Sequence, residues 1–251
     1  MTVKEVYNYI DSFAPFCAQE RWDNSGILVE NNSTEIKSIM LCLDITKEIA
    51  YEAVRKNVSL VISHHPVIFS PLKTLTSGNP AVILSAGGVS AICMHTSFDL
   101  AKGGLNDFLA KKLSIGKAAD GSIDDETGLG RIIELSEEIS AKELAEIIKE
   151  KLCCKAVRLN LPETQIKRVG VISGSGAEYY PVAIKKGCDA LITGDVKHNQ
   201  FIDAQNDGFS IIDAGHYYTE NIITEYLLEK LRGFADDVFI AESNKDITEI
   251  I

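Results

Sequence analysis

Short apolar runs alternate with longer amphipathic stretches along this chain, as strands alternate with helices in an α/β protein. The first half predicts strands and helices in this order: strand 37–44, helix 46–57, strand 59–66, strand 87–95 and helix 103–113. The second half predicts a strand and glycine turn over 167–176, helix 177–187, strand 188–199, and a strand entering a helix over 209–231. This order predicts an α/β fold with mainly parallel sheets flanked by helices.

The two halves are similar to each other in sequence. Residues 37–66 align with 167–196 at an offset of 130, with a few identities such as Ile62 with Ile192 and many hydrophobic matches. The segment 114–166 between them predicts a small strand–helix connection that is too short to form a domain of its own.

A second match follows after a shortened loop, where the offset becomes 121. There His95-x-x-x-Asp99 aligns with His216-x-x-x-Glu220. The repeated element order and the repeated histidine–carboxylate spacing predict an internal duplication, with halves at 1–125 and 126–251.

The composition describes an acidic globular protein. Of 251 residues, 45% are hydrophobic and 24% are charged, which is ordinary for a folded domain and argues against disorder. The net charge of −11 repels nucleic-acid backbones and anionic lipid, so a nucleic-acid partner is not expected. A small anionic substrate remains possible in a pocket that carries metal.

The sequence predicts a cytoplasmic location and no membrane span. The N-terminus lacks the apolar core of a signal peptide, and no apolar run approaches the roughly 18 residues of a spanning helix. The six cysteines have no CxxC spacing, and five have apolar neighbours, as buried reduced thiols do.

The histidines are the most informative side chains. Each of the five lies at or just after the C-terminal end of a predicted strand, the edge where open α/β sheets form ligand sites; they are His64, His65, His95, His198 and His216. Scattered core histidines would not be expected to share one edge. We therefore predict a metal site there.

Spacing divides these residues into groups. His216 and Glu220 lie four apart at the start of a predicted helix and so share one face, which suits joint coordination of one metal. His95 and Asp99 have the same spacing, but their segment is more typical of a loop before the helix at 103. Imidazole and carboxylate ligands together suit zinc, iron or manganese.

Each feature also has an ordinary structural interpretation. A single histidine is most often a surface or core residue. Asp195 can be an Asx-turn residue, and Glu220 can simply favour the positive end of a helix. The glycine-rich segment 173–179 can be a phosphate-binding nest or a plain strand-to-helix turn. The joint pattern is harder to explain in this way.

Five co-linear motifs resemble the Nif-three-like dinuclear metal-centre family, whose members are often named GTP cyclohydrolase I type 2 homologues. They are WDNSGILV (22–29), ISHHPVIF (62–69), HTSFDLAKGGLND (95–107), ITGDVKHN (192–199) and DAGHYYTE (213–220). The chain resembles the short form, because 114–166 is too small for the ferredoxin-like insert of longer members.

The resemblance implies two intertwined α/β halves, two divalent metal ions per chain and a toroidal homohexamer with the metals facing an internal cavity. It implies that the HHP histidines bind different ions, that Glu220 bridges both, and that each ion gains one further ligand. The implied ligands are His64, His65, Asp99, His216 and Glu220. The resemblance also implies that His95 lies close to the ions as a supporting or catalytic group and that Asp195 and His198 line the cavity; we take these three as the candidate catalytic residues.

Two functions follow as hypotheses. The first is a metal-dependent hydrolase acting on a nucleotide or phosphoester, with His95 or His198 as general acid or base; opening of the GTP ring is one candidate reaction. The second is a non-catalytic metal-binding or delivery factor, or a ring-shaped interaction scaffold. A hydrolase needs open metal positions, whereas a storage or structural site tolerates full ligation by protein.

Overall fold

A computed structural model of the protein describes residues 1–31 and 35–251. Within this part of the chain the α-helices are α1 (Val3–Asp11), α2 (Lys47–Arg55), α3 (Pro80–Ala86), α4 (Thr96–Leu100), α5 (Leu105–Leu113), α6 (Ala141–Lys151), α7 (Tyr180–Lys185), α8 (His198–Asn206), α9 (His216–Glu220) and α10 (Ile222–Lys230). No helix in the described ranges is both long and apolar enough to cross a bilayer.

The strands form two sheets. In chain order they are β1 (Gly26–Val29), β2 (Ser38–Cys42), β3 (Leu60–Ser63), β4 (Ser90–Cys93), β5 (Gly116–Ala118), β6 (Arg131–Ser140), β7 (Arg158–Leu159), β8 (Gln165–Val171), β9 (Ala190–Thr193), β10 (Ser210–Asp213) and β11 (Asp237–Ile240). The predicted α/β class is thereby confirmed, with two mixed sheets flanked by helices.

The chain forms two compact units. The first comprises Met1–Ala101 and Ile223–Ile247, and the second comprises Lys102–Ile222 and Thr248–Ile251. The boundary predicted at residue 125 lies inside the second unit, and the assignment of the halves as 1–125 and 126–251 stays a prediction from the repeated sequence pattern.

The first unit contains a five-stranded sheet in the order β1-β4-β3-β2-β11. All neighbours are parallel except β1 and β4, which run antiparallel. The central strands β3 and β4 are buried along their whole length, as expected for parallel strands covered on both faces. Their C-terminal ends consequently meet at one edge, where the strand-end histidines His64 and His95 follow.

A buried glutamate on α2 binds the segment that follows β11, the last strand of the first unit. Glu52 on α2 is only 1% exposed, and its carboxylate accepts the backbone N–H groups of Glu242 and Ser243, each at 2.9 Å. Lys56 Nζ lies 3.1 Å from the same carboxylate. Although burial opposes the charged form, these partners lower the pKa of Glu52 to about 2. The segment that follows β11 is therefore fixed by a charge on α2.

The second unit contains a six-stranded sheet in the order β5-β6-β8-β9-β10-β7. Only the β8–β9 and β9–β10 pairs are parallel, so this sheet is more antiparallel than the sequence pattern suggested. The difference comes from 114–166, which supplies the antiparallel strands β5, β6 and β7 to the sheet, together with the helix α6, rather than a simple connection.

Two pairs of corresponding elements have matching bounds in the two units. At the offset of 130, β3 (Leu60–Ser63) falls on β9 (Ala190–Thr193). At the same offset, α2 falls on 177–185, which is a 3₁₀ turn continued by α7. In these two pairs the repeated sequence pattern therefore corresponds to elements that end at equivalent positions.

Two local predictions were wrong. The segment after His95 is a helix, α4, and not a loop; its first N–H, that of Thr96, is bound at 3.0 Å by Asp23, a carboxylate distant in sequence. Four cysteines are buried instead of five, since Cys17 and Cys153 are exposed. Cys153 lies just past the end of α6 in a left-handed conformation, φ 55°.

We predict that Glu52→Gln lowers the free energy of unfolding at pH 7 by about 1–3 kcal/mol, because two buried N–H groups lose a charged acceptor. The pKa of Glu52 is lowered from 4.5 to about 2, so its stabilisation is present above pH 4.5 and is lost as the pH falls towards 2. Urea unfolding followed by circular dichroism at pH 7 and at low pH measures the difference.

The matched control is Glu242→Gln. The side chain of Glu242 is 75% exposed and pairs with Lys56 at the surface, where such pairs contribute about 0–1 kcal/mol. Equal destabilisation by both variants, or a Glu52→Gln effect that persists undiminished at low pH, would contradict the assigned role.

Candidate metal centre

The end of β3 turns two adjacent histidines toward the same edge. The N–H groups of His64 and His65 both donate to the carbonyl of Leu43, at 3.2 and 3.0 Å, so the chain leaves the strand at this point. The two imidazole centroids lie 5.0 Å apart with their planes at 43°. Neighbouring residues of a regular strand would point to opposite faces, but this turn brings both rings together.

A third imidazole joins them from the next strand. His95 follows β4, and its N–H donates to Ser25 Oγ at 3.0 Å. Its ring centroid lies 5.3 Å from that of His64 and 5.5 Å from that of His65. Each of the three residues offers a ligand atom, and the three atoms lie within 4.8 Å of one another. We call these three residues the imidazole cluster.

A backbone carbonyl sets the tautomer of His64. This side chain is fully buried, and its Nδ1 lies 2.9 Å from the carbonyl oxygen of Met94. A carbonyl can only accept, so Nδ1 carries the proton and Nε2 carries the lone pair of the neutral ring. The ring is thereby oriented as a metal ligand.

Carboxylates orient the other two rings in the same way. His65 Nδ1 lies 2.7 Å from Asp44 Oδ1, and His95 Nδ1 lies 2.8 Å from Asp23 Oδ1. Metal-binding histidines usually donate their second N–H to a carboxylate or carbonyl, which fixes the ring and raises its basicity. All three members of the imidazole cluster meet this condition.

Asp23 is the most heavily bonded of these acceptors. Its side chain has 0% exposure and accepts from His95, Thr96, Asn24 and Ser25. Burial opposes its ionisation, but the hydrogen bonds from His95 and Thr96 outweigh it and hold the pKa of Asp23 well below its usual range. A buried carboxylate that stays charged keeps His95 in one orientation.

Helix α4 presents a carboxylate to the cluster. Asp99 lies in its first turn, and Asp99 Oδ1 is 3.6 Å from His64 Nε2. The helix forms because the N–H groups of Phe98 and Asp99 donate to the carbonyl of His95, with Phe98 fully buried. The spacing of four that the sequence showed thus places His95 and Asp99 at the same site.

The second unit holds its own histidine between two carboxylates. His216 Nδ1 lies 2.8 Å from Asp195 Oδ2, and His216 Nε2 lies 2.8 Å from Glu220 Oε2. Burial lowers the pKa of His216, but the hydrogen bonds and charges of Glu220 and Asp195 outweigh it and raise the pKa to about 9. His216 and Glu220 share one face of α9, as their spacing predicted.

The turn into α9 is set by Asp213 at the end of β10. Its carboxylate accepts the N–H groups of Gly215 at 3.0 Å and Val196 at 3.2 Å, and it pairs with Arg158. These bonds fix the start of the helix, and therefore the position of His216.

Two glycines allow the close packing around this pair. A Cβ on Gly174, whose φ is +61°, would lie 2.0 Å from Glu220 Oε1. A Cβ on Gly194 would lie 2.6 Å from the backbone nitrogen of His216. The sequence of the glycine-rich segment 173–179 is compatible with a phosphate-binding nest or with a plain turn. In the structure, Gly174 of this segment packs against the side chain of Glu220.

The structure groups seven of the eight predicted site residues and leaves His198 apart. His64, His65, His95 and Asp99 come together in the first unit; Asp195, His216 and Glu220 come together in the second. His198 begins α8 and is exposed, and across the described ranges it joins no cluster of three or more ligand side chains. Whether each acts as ligand or catalyst stays a prediction.

Sequence reasoning missed Asp23 and Asp44 as supporting acceptors. Each lies far along the chain from its histidine, so no local spacing pairs them. Two signals were available: Asp23 belongs to the WDNSG motif, and Asp44 lies two residues after the end of β2, at the same sheet edge as His65.

The donor set fits a divalent transition metal. The imidazole cluster offers three imidazoles, Asp99 adds a carboxylate beside it, and the second unit offers one further imidazole with a carboxylate. Such nitrogen and oxygen donors suit zinc, iron or manganese. No cysteine of the described ranges belongs to a group of three or more metal-ligating side chains.

Comparison with known proteins gives a consistent set of relatives. The sequence model of the Duf34/NIF3 (NGG1p interacting factor 3) family matches residues 1–247. A Helicobacter pylori protein named GTP cyclohydrolase 1 type 2 is 39% identical over 236 residues, covering 92% of both chains. A Clostridium perfringens protein named GTP cyclohydrolase 1 type 2 homolog is 32% identical over 263 residues, covering 100% of both.

A solved structure supports the fold. The crystal structure of a Staphylococcus aureus protein superposes with a TM-score of 0.91 at 27% identity, covering 100% of this chain and 99% of that one. The resemblance predicted from five motifs is thereby confirmed over nearly the whole chain.

We predict that Asp23→Asn weakens zinc binding by about 10- to 100-fold, because the N–H of Thr96 loses the charged acceptor that holds the start of α4, the helix that carries the proposed ligand Asp99. Competition titration with a chelating indicator measures the affinity. The matched control is Asp11→Asn, since Asp11 also accepts a backbone N–H, that of Phe16 at 2.9 Å, but does not contact the imidazole cluster. Unchanged zinc affinity in Asp23→Asn would contradict the orienting role.

We also predict that Gly174→Ala reduces bound zinc, because the added Cβ must displace the carboxylate of Glu220. Gly187→Ala is the matched control: its φ of +73° imposes comparable backbone strain, but its Cβ would meet nothing within 4 Å. Elemental analysis and thermal unfolding separate the two effects. Equal zinc content in both variants would show that zinc binding does not depend on the close packing of Glu220 against Gly174.

Proposed function

Because this chain belongs to the Duf34/NIF3 family, we propose that it is a metal-dependent hydrolase that holds two divalent ions and acts on a nucleotide or phosphoester. The observation that carries the proposal is the imidazole cluster, in which every Nδ1 lies against a carbonyl or carboxylate. Surface histidines have no need of this common orientation, whereas metal ligands do.

The proposed ligands are those that the family resemblance implies. The first unit offers His64, His65 and Asp99, and the second offers His216 and Glu220. When bound, divalent ions at such ligands polarise a substrate oxygen and lower the pKa of water. Zinc, iron and manganese all match these donors, and the ligand types do not select among them.

The chain itself supplies orientation and proton transfer in this proposal. Asp44 holds the ring of the proposed ligand His65, and Asp23 holds the ring of His95, so both rings are oriented before substrate arrives. His95 is the proposed general acid or base, because it lies within the cluster and its side chain is 16% exposed to solvent. Asp195 and His198 are proposed as further catalytic residues in the second unit.

The substrate class rests on the names of relatives. The Helicobacter pylori relative is named as a GTP cyclohydrolase, which supports a nucleotide substrate for this chain. The homohexamer, its toroidal shape and the cytoplasmic location belong to the same proposal, as does the absence of a nucleic-acid partner given the net charge of −11.

The ligand assignment predicts that the double variant His64→Ala, His65→Ala loses bound metal and remains folded, because the sheet core does not depend on these side chains. Elemental analysis of purified protein and circular dichroism measure both properties. His198→Ala is the control, since this exposed histidine is proposed as catalytic and not as a ligand, and it is expected to keep its metal. Full metal content in the double variant would overturn the assignment.

The reaction class is tested by a metal-reconstituted screen over nucleotides and phosphoesters, with Glu220→Gln run in parallel. We expect turnover by the wild type and a large loss in the variant, because the amide removes a charged ligand. If no substrate is turned over with zinc, iron or manganese, a metal-binding or delivery factor becomes the better account.

A further inference from the structure

Two large aromatic side chains lie exposed beside the imidazole cluster. Trp22 is 59% exposed and Phe69 is 51% exposed, and their ring centroids are 6.0 Å apart with planes at 49°. Exposure of two adjacent large aromatic rings leaves apolar surface in water, which commonly marks a binding site. We call these two residues the aromatic pair.

The aromatic pair continues directly into the cluster. The His95 centroid lies 5.9 Å from that of Trp22 and 6.3 Å from that of Phe69. The His95 ring stands nearly perpendicular to both, at 76° and 82°. An apolar surface suited to ring stacking is therefore adjacent to the side chain that we propose as general acid or base.

The segments that carry the aromatic pair are tied together. Asn24 Nδ2 donates to the carbonyl of Ile68 at 2.6 Å, linking the residues next to Phe69 with those next to Trp22. Asp23, the immediate neighbour of Trp22, is held by its bonds to His95 and Thr96. The exposed rings thus project from anchored backbone, which lowers the entropy lost when a ligand is ordered against them.

We propose that Trp22 and Phe69 form a stacking platform for a planar heteroaromatic ring of the nucleobase class and place that ring beside the imidazole cluster. Every nucleobase has a π face, so stacking recognises the ring before any hydrogen bond selects among bases. The platform side chains carry no charge, so it binds the base and not the phosphate. The inference deepens the proposed function by naming what part of a substrate this edge receives.

The test uses the only tryptophan of the chain, whose emission reports on the platform directly. Full-length zinc-loaded protein is titrated with guanosine, with cytidine and with ribose 5-phosphate, which lacks the ring. We expect saturable quenching by the nucleosides and none by ribose 5-phosphate. Loss of one stacking partner is expected to weaken binding about 5- to 100-fold in Phe69→Leu, while Phe69→Tyr retains it.

The matched control is Tyr51→Ala on α2, an aromatic with similar exposure of 53%. It is expected to leave the nucleoside titration unchanged. Equal quenching by ribose 5-phosphate, or an unchanged affinity in Phe69→Leu, would overturn the platform. So would a Trp22 emission that ignores nucleosides and shifts only with protein concentration, because a second copy of the chain would then cover this face.

The two proposals fail separately. Wild-type protein that binds its metals but shows no nucleoside quenching overturns the platform and leaves the metal site intact. Nucleoside quenching that persists in the double variant His64→Ala, His65→Ala supports the platform even if metal analysis or the activity screen rejects the hydrolase.

Discussion

The buried carboxylate of Asp23 is the interaction on which the metal-binding edge of the first unit depends. It takes hydrogen bonds from the side chain of His95 at 2.8 Å and from the backbone of Thr96 at 3.0 Å. One bond orients a ring of the imidazole cluster, and the other starts the helix that carries Asp99. A buried carboxylate needs several hydrogen-bond donors to remain ionised. Here two of those donors, the His95 ring and the Thr96 N–H, belong to the site itself.

The second unit reaches a similar arrangement with different residues. Asp195 takes the place of Asp23 as the carboxylate on Nδ1, at 2.8 Å from His216. Both histidines begin or directly precede a five-residue helix that follows a buried strand, and both have a carboxylate four residues later. The duplication therefore repeats a histidine with its Nδ1 on a carboxylate, as well as the order of helices and strands.

Much of this was predictable from sequence because the relevant signals are local. Strands β3 and β9 are apolar runs, and the ligand histidines His64, His65 and His216 follow strand ends. The helix α4 was not predictable, because its N-cap is His95, which makes no side-chain capping bond, and Asp23 binds its first N–H from 73 residues away. The roles of Asp23 and Asp44 as acceptors were not predicted for the same reason. Only the tertiary fold brings Asp23 to His95 and Asp44 to His65.

The central claim is that His64 and His65 of the imidazole cluster bind metal through Nε2 while each Nδ1 remains on its acceptor. Anomalous diffraction at the zinc edge, from crystals of the zinc-loaded protein, tests this most directly. The account predicts that Nε2 of His64 and of His65 each lies about 2.0–2.1 Å from a zinc peak. Zinc bound through Nδ1, or anomalous peaks remote from these histidines, would contradict it.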